Sequence, residues 1–183
     1  VAKLFNEYSE KEIISPDDSM FGGENPEKLV TKSWALRTLK RQQGCEFEGM
    51  LLEVCGKDDV KMTLRDFLTW HRRLKLFKID VEMQGFCQSY AAEFNKRRPP
   101  KPVMFLDAFL ICLKDRPGQP LYACEPMIKG DFIKHNNNAG QVHERINERN
   151  TPQAFSHFTH WFSGGKYIIV DIQGVGDVYT DPQ

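Results

Sequence analysis

The chain has 183 residues, 40% of them hydrophobic and 13 of them Phe, which is enough apolar surface for a real core and excludes a disordered chain. Its 25 basic residues balance 25 acidic ones, so no global field recruits nucleic acid or an anionic membrane, and any site must work through local charge. Cys45, Cys55, Cys87, Cys112 and Cys124 are odd in number and lack a CxxC pair, which argues against a disulfide scaffold or a self-contained zinc ribbon and for a reducing, cytoplasmic setting.

In chain order, residues 1–5 (VAKLF) read as the end of a strand that carries Lys3. Because the chain opens on Val1 and stops at Gln183 just after a motif, it is expected to be a piece of something longer. From Ser9 to about Lys78 the composition is more polar, with a helix expected from Pro26 to Gln43, stopped at Gly44, and another after Thr63. Trp34, Trp70 and the run Met50 to Val54 suit a small satellite core. The clearest helix is Ile79 to Phe94, where Met83, Phe86, Cys87, Tyr90, Ala91 and Phe94 share one face and Asp80 and Glu82 are expected in the first turn. Prolines 99, 100 and 102 end it, and Lys96, Arg97, Arg98 and Lys101 among them read as a solvated turn rather than a nucleic-acid patch.

Val103 to Leu113 reads as a strand; it is too short to span a bilayer and carries Asp107. The Asp115 to Gly118 turn and the run PLYACEPMI make it a hairpin. Thr151 is expected to cap a helix with Pro152 at its first position, running through Ala154, Phe155, Phe158 and Phe162 to a stop at Gly164 and Gly165. A buried strand, Tyr167 to Val170, then delivers Asp171 to a loop in which Gln173, Asp177 and Asp181 follow at short spacing and Gly174 and Gly176 permit tight turning. Acidic and amide oxygens at a strand end suit Mg²⁺ and phosphate chemistry; the competing reading is an ordinary glycine-rich turn with solvated acids.

A lysine in a strand, a helix with acids, a hairpin, an Asn-rich loop, a His-bearing helix and an acidic loop form an order that resembles a kinase. More closely, DVEMQGFCQSYAAEFN, LKDRPGQPLYACEPMIKGDFIKHNNNAG and ERNTPQAFSHFTHWFSGGKYIIVDIQGVGDVYTDPQ resemble the alpha-kinase family, the atypical protein kinases that include elongation-factor kinases and myosin heavy chain kinases. The resemblance covers roughly residues 79–183 and VAK at the start. It implies an α+β, two-lobed protein-kinase-like fold, incomplete at both ends. Residues 1–8 would end the ATP-lysine strand, about 9–78 would be an insertion, 79–124 the remainder of the N-lobe, and 125–183 the linker and a partial C-lobe.

Carried over residue by residue, the resemblance makes Lys3 the lysine on the ATP phosphates and Asp80 its acidic partner, ahead of Glu82. Glu125 and Met127 fall at the linker that meets adenine, and Lys134 and Asn138 match the family's lysine and last asparagine of the following loop, so the resemblance makes all four ATP-binding residues. Asp171 takes the catalytic position toward the substrate hydroxyl, Gln173 and Asp181 match the Mg²⁺ ligands, Thr180 would help hold the loop, and Asp177 is left as a solvated acid. His157 matches one ligand of a structural Zn²⁺ site whose other three lie beyond this chain, with His160 a bystander. The implied activity is ATP-dependent serine/threonine protein phosphorylation with Mg²⁺, on a protein substrate of elongation-factor or myosin heavy chain type, with no nucleic acid or membrane partner.

Two departures accompany the resemblance. Lys3 and Asp80 stand 77 positions apart, hence the long insertion, which loops tolerate at modest entropic cost. The family's glycine-rich segment after the catalytic loop and three zinc ligands are not in these residues, so the isolated piece is expected to be inactive and poorly stable. A non-catalytic nucleotide-binding or scaffolding module is the alternative, and a phosphohydrolase built on Asp171 and Asp181 a third. Substrate, regulation and oligomeric state stay open.

Overall fold

A computed structural model describes residues 21, 23–43, 60–142 and 150–183, so Lys3, Cys45, Cys55, Gly44 and Met50 to Val54 lie outside the described residues. The chain divides into two compact units, one holding residues 5–77 and 110–122 and the other 1–4, 78–109 and 123–183.

In the first unit, strand β1 (Leu29–Thr31) runs into helix α1 (Lys32–Gln43), and strand β2 (Lys61–Thr63) runs into helix α2 (Leu64–Asn95), whose opening part belongs here. β1 and β2 are antiparallel, pairing Leu29 with Thr63 and Thr31 with Lys61. Both helices start on a threonine cap. The Thr31 hydroxyl accepts the Trp34 N–H at 3.2 Å, and the Thr63 hydroxyl accepts the Asp66 N–H at 3.1 Å while donating to Asp66 Oδ2. The helix expected from Pro26 therefore begins only at Lys32, because Asn25 and Pro26 form a turn and the β-branched Val30 and Thr31 pair with β2.

Leu36, Leu39, Leu64, Phe67, Trp70 and Leu74 close this unit's core, with Phe21 edge-on to Phe67. Trp70 is buried as expected for a satellite core, whereas Trp34 stacks on Phe21 and stays exposed. Strands β4 (Phe109–Cys112) and β5 (Leu121–Cys124) form the expected hairpin, its turn closed by the Gln119 N–H on the Arg116 carbonyl at 2.9 Å.

The second unit is built on the remainder of α2. Neither proline nor glycine separates Thr63 from Ile79, so the two helices expected there are one, and Asp80 and Glu82 sit inside it rather than in a first turn. Beyond the helix, the Asn95 side chain donates to the Val103 carbonyl at 2.7 Å and accepts the Val103 N–H at 2.9 Å, imitating a strand partner. The expected long strand from Val103 is divided into β3 (Met104–Phe105) and β4 because the two halves pair with different strands.

β3, β8 (Val178–Thr180), β7 (Gln173–Val175) and β6 (Phe132–Lys134) lie in that order in a four-stranded sheet. β3 is parallel to β8, while β8 with β7 and β7 with β6 are antiparallel. Helix α3 (Asn150–Phe162), with Thr151 and Pro152 in its first turn and Gly164 and Gly165 at positive φ after its end, packs Phe155 and Phe158 against Phe94, Phe105, Ile169, Ile172 and Tyr179. Tyr167 to Val170 is not a sheet strand. Side chains of the preceding helix and turn take its backbone donors instead: Ser163 Oγ accepts the Tyr167 N–H at 3.0 Å and Thr159 Oγ1 accepts the Ile169 N–H at 2.9 Å.

Among the described residues no helix is long and apolar enough to cross a membrane. The basic run after α2 is exposed, as expected of a solvated turn, with Arg97 resting over the Phe158 and Trp161 rings at 5.1 and 4.9 Å.

Cys87 is wholly buried, and that burial pushes its thiol from 9.0 up to about 12. The folded state thus holds the thiol proton more tightly than the unfolded state does. Its contribution to stability is intact below the unfolded value of 9.0 and is lost as pH rises toward 12. Iodoacetamide at pH 8 is expected to leave Cys87 unmodified in the native protein and to label it after unfolding; mass spectrometry showing native labelling at the rate of a free thiol would contradict this burial.

Candidate functional site

One end of the four-stranded sheet gathers most of the expected site residues. The register sets Lys134, at the end of β6, opposite Gln173, at the start of β7, and sets Gln173 opposite Thr180, at the end of β8. Asp171, two residues before β7, and Asp181, directly after β8, therefore lie just outside that edge. A hairpin with a two-residue turn brings together acids ten positions apart in sequence.

Asp171 is buried and its carboxylate forms an ion pair with the Lys134 ammonium, whose side chain is 39% exposed. A carboxylate held at this position can orient a hydroxyl and accept its proton. Asp171 and Asp181 have φ of 61° and 49°, left-handed values that few residues other than glycine adopt. Aspartate tolerates that region better than most side chains, and both backbone positions are held by their neighbours.

The clamp beside Asp171 is Asn136, a residue sequence reading passed over in favour of Asn138. Its Oδ1 accepts the Ile172 N–H at 2.8 Å, while its Nδ2 donates to Gln153 Oε1 at 2.9 Å and Ser156 Oγ at 3.2 Å on α3. Gln153 in turn donates to the His135 carbonyl at 3.1 Å, and the His135 N–H donates to the Ile172 carbonyl at 2.8 Å. An Asn136→Leu change is expected to cost about 2–3 kcal/mol, because a buried N–H and the side-chain groups of α3 lose their partner while the volume is conserved. Urea unfolding of the variant measures it; a loss below about 0.5 kcal/mol would show the clamp to be dispensable.

On the other side, Gln173 Nε2 donates to the Asp181 carbonyl at 3.3 Å. Its amide oxygen and the Asp181 carboxylate are hard oxygen donors of the kind Mg²⁺ prefers, so this donor set fits such an ion. Thr180 is buried, and its hydroxyl donates to Glu125 Oε2. Thr180 thus holds the loop through Glu125, whose buried carboxylate also receives Gln84 Nε2 at 3.3 Å. Sequence reading gave Gln84 no role; its position one helical turn after Asp80 was the available signal.

The other expected residues are less closely gathered. Met127 is exposed, and Asn138, also exposed, donates to Gln183 Oε1 at 2.8 Å, while Val170 and Gln183 exchange backbone hydrogen bonds at 2.8 and 3.0 Å that close the base of the loop. Asp80 is half-buried on α2. Asp177 lies half-buried in the β7–β8 turn rather than free in a loop, its carbonyl accepting the Met104 N–H at 3.0 Å. His157 and His160 are both exposed on α3, and among the described residues no three His, Cys, Asp or Glu side chains converge as a metal cluster. A structural Zn²⁺ on His157 would need three further protein ligands.

The Alpha-kinase family model matches residues 42–183. Alpha-protein kinase 1 of Dictyostelium discoideum is 52% identical over 111 residues, covering 61% of this chain and 8% of that protein. Eukaryotic elongation factor 2 kinase of Mus musculus is 52% identical over 104 residues, covering 57% of this chain and 14% of that protein. The crystal structure of the alpha-kinase domain of myosin-II heavy chain kinase A in complex with AMP-PNP is similar with a TM-score of 0.55 at 46% identity, over 60% of this chain and 44% of that one. The chain thus spans only 8% and 14% of the two curated relatives' lengths.

Proposed function

The chain belongs to the alpha-kinase family, and on that premise we propose that the protein transfers the γ-phosphoryl group of ATP to a serine or threonine hydroxyl of a protein substrate in the cytoplasm. The observation that carries this reading is the convergence of Lys134, Asp171, Gln173, Thr180 and Asp181 at one end of the sheet. Family membership lends the convergence its chemical meaning, since an ion pair and a hairpin acid alone do not define a reaction.

Phosphoryl transfer is chiefly positioning and charge neutralisation. Asp171, paired with Lys134, orients the acceptor hydroxyl and takes its proton. Lys134 adds positive charge on the same edge. Gln173 and Asp181 would hold Mg²⁺, which when bound neutralises phosphate charge and braces the oxygens of the transferring group. Lys3 is assigned to the ATP phosphates with Asp80 as its acidic partner, and Asn138 to the nucleotide. The backbone around Glu125 and Met127 is assigned to the adenine. The Glu125 carboxylate is taken up by Thr180 and Gln84, so its contribution there is positional.

Some of the relatives are named for elongation factor 2 or for myosin heavy chain, and a substrate of either type is proposed here. A structural Zn²⁺ on His157 is proposed only with three ligands from outside these residues, and no catalytic step depends on it. The test is incubation of the full-length protein with Mg²⁺, ATP labelled at the γ-phosphate and such acceptors, followed by identification of phosphoserine and phosphothreonine. Release of phosphate with every acceptor unmodified would replace this reading with a phosphohydrolase. Nucleotide binding without turnover would replace it with a scaffold.

A further inference from the structure

Gln84 is 3% exposed and uses both ends of its amide. Its Nε2 donates to the Leu106 carbonyl at 2.8 Å and to Glu125 Oε2 at 3.3 Å, while its Oε1 accepts the Asp181 N–H at 3.3 Å. Glu125 Oε2 also takes the Thr180 hydroxyl. Four segments, α2, the stretch after β3, the stretch after β5 and the end of β8, are thereby tied at one buried group. The residue whose N–H is held, Asp181, has a φ of 49°, a conformation that persists only where the surroundings impose it.

We infer that Gln84 is a positioning residue for the divalent cation of this kinase: it fixes the backbone at Asp181, which aims the Asp181 carboxylate, and links that backbone to Glu125. The inference rests on the proposed assignment of Gln173 and Asp181 as cation ligands. A glutamine suits the post because one side chain must donate to a carboxylate and accept from an amide. Leucine does neither, and a glutamate would set an acceptor against the Leu106 carbonyl and a second carboxylate against Glu125.

The role is tested in the full-length protein with Gln84→Leu, with the milder Gln84→Asn in case the first does not fold, and with the exchanged pair Gln84→Glu plus Glu125→Gln. In that exchange Glu125→Gln supplies the amide donor and Gln84→Glu still accepts the Asp181 N–H; Gln88, 3.1 Å from the Leu106 carbonyl, keeps that carbonyl paired. Two readouts are followed: hydrogen exchange of the Asp181 amide, and the Mg²⁺ concentration for half-maximal binding of a non-hydrolysable ATP analogue. Loss of the Gln84 contacts is expected to speed the exchange about tenfold and to raise the half-maximal Mg²⁺ about fivefold to tenfold, with analogue affinity at saturating Mg²⁺ within about twofold. The exchanged pair, in which the Gln84→Glu carboxylate still faces the Leu106 carbonyl, is expected to bring the Mg²⁺ requirement below that of Gln84→Leu without fully restoring the parent value.

Unchanged exchange, or faster exchange with an unchanged Mg²⁺ requirement, would overturn the role of Gln84 while leaving the kinase reading in place. A lower melting temperature with analogue binding weakened equally at all Mg²⁺ concentrations would show Gln84 to be structural only, and would also overturn it. A parent protein that binds the analogue equally well without Mg²⁺ would remove the cation assignment of Gln173 and Asp181, and the inference with it.

Discussion

Asp171→Asn in the full-length protein is expected to lower the rate of phosphoryl transfer about 10²–10⁴-fold, the usual contribution of a positioned general base, while Mg·ATP affinity changes by no more than about threefold. Asparagine keeps the size of the side chain and tolerates the φ of 61° at this position, so the backbone reason for failure is removed. What is lost is the negative charge that accepts the hydroxyl proton and pairs with Lys134. Single-turnover transfer to a protein acceptor, measured beside equilibrium nucleotide binding, separates chemistry from affinity. Transfer at the parent rate would sink the assignment of Asp171. A fall in nucleotide affinity matching the fall in rate would move the residue from chemistry to binding.

Gly174→Ala is expected to destabilise the protein by more than about 3 kcal/mol, lowering the melting temperature by roughly 6–12 °C, and to abolish activity through loss of the site's hairpin. A Cβ at this glycine would stand 2.1 Å from the Val178 carbonyl oxygen and 2.8 Å from the Tyr179 Cα, both backbone atoms of the paired strand, which cannot swing aside as a flexible side chain would. Separation of the strands would part Gln173 from Thr180 and Asp181. Gly176, in the turn of the same hairpin, is a useful contrast. It needs its glycine because φ is 62°, yet nothing lies within 4 Å of its would-be Cβ, so Gly176→Ala should cost only about 1–2 kcal/mol. Calorimetry of the two variants checks the ordering, and equal costs would show that the strand approach at Gly174 is easily relieved.

Much of this molecule was legible from residue pattern. The buried Cys87, Ala91 and Phe94 of α2, though not Met83 and Phe86 of the same expected face, the hairpin around Arg116 to Gly118, and α3 with its glycine stop follow from periodicity and from residues with narrow backbone preferences. Reading failed where one backbone group had two possible partners. Tyr167 to Val170 has the composition of a strand, but Ser163 and Thr159 take its N–H groups. Leu29 to Thr31 continues a helical pattern, but the facing β2 draws it into a strand. No local signal marks the choice, since the competitor is distant in sequence or donated by a side chain.

The same distinction governs the site. Sequence by itself determined the chemical inventory and the family: the acids, the amide oxygens and the lysine are present in an order shared with alpha-kinases. Only the tertiary structure decided that Lys134 meets Asp171, that Thr180 is held by Glu125, and that Gln84 and Asn136 brace the backbone beside the two aspartates. The physical reason is that residue type sets which charges and hydrogen-bonding groups are available, whereas pairing depends on strand register and on the direction of each buried donor and acceptor. Those are settled by packing across the whole sheet, between residues as far apart in the chain as Gln84 and Asp181.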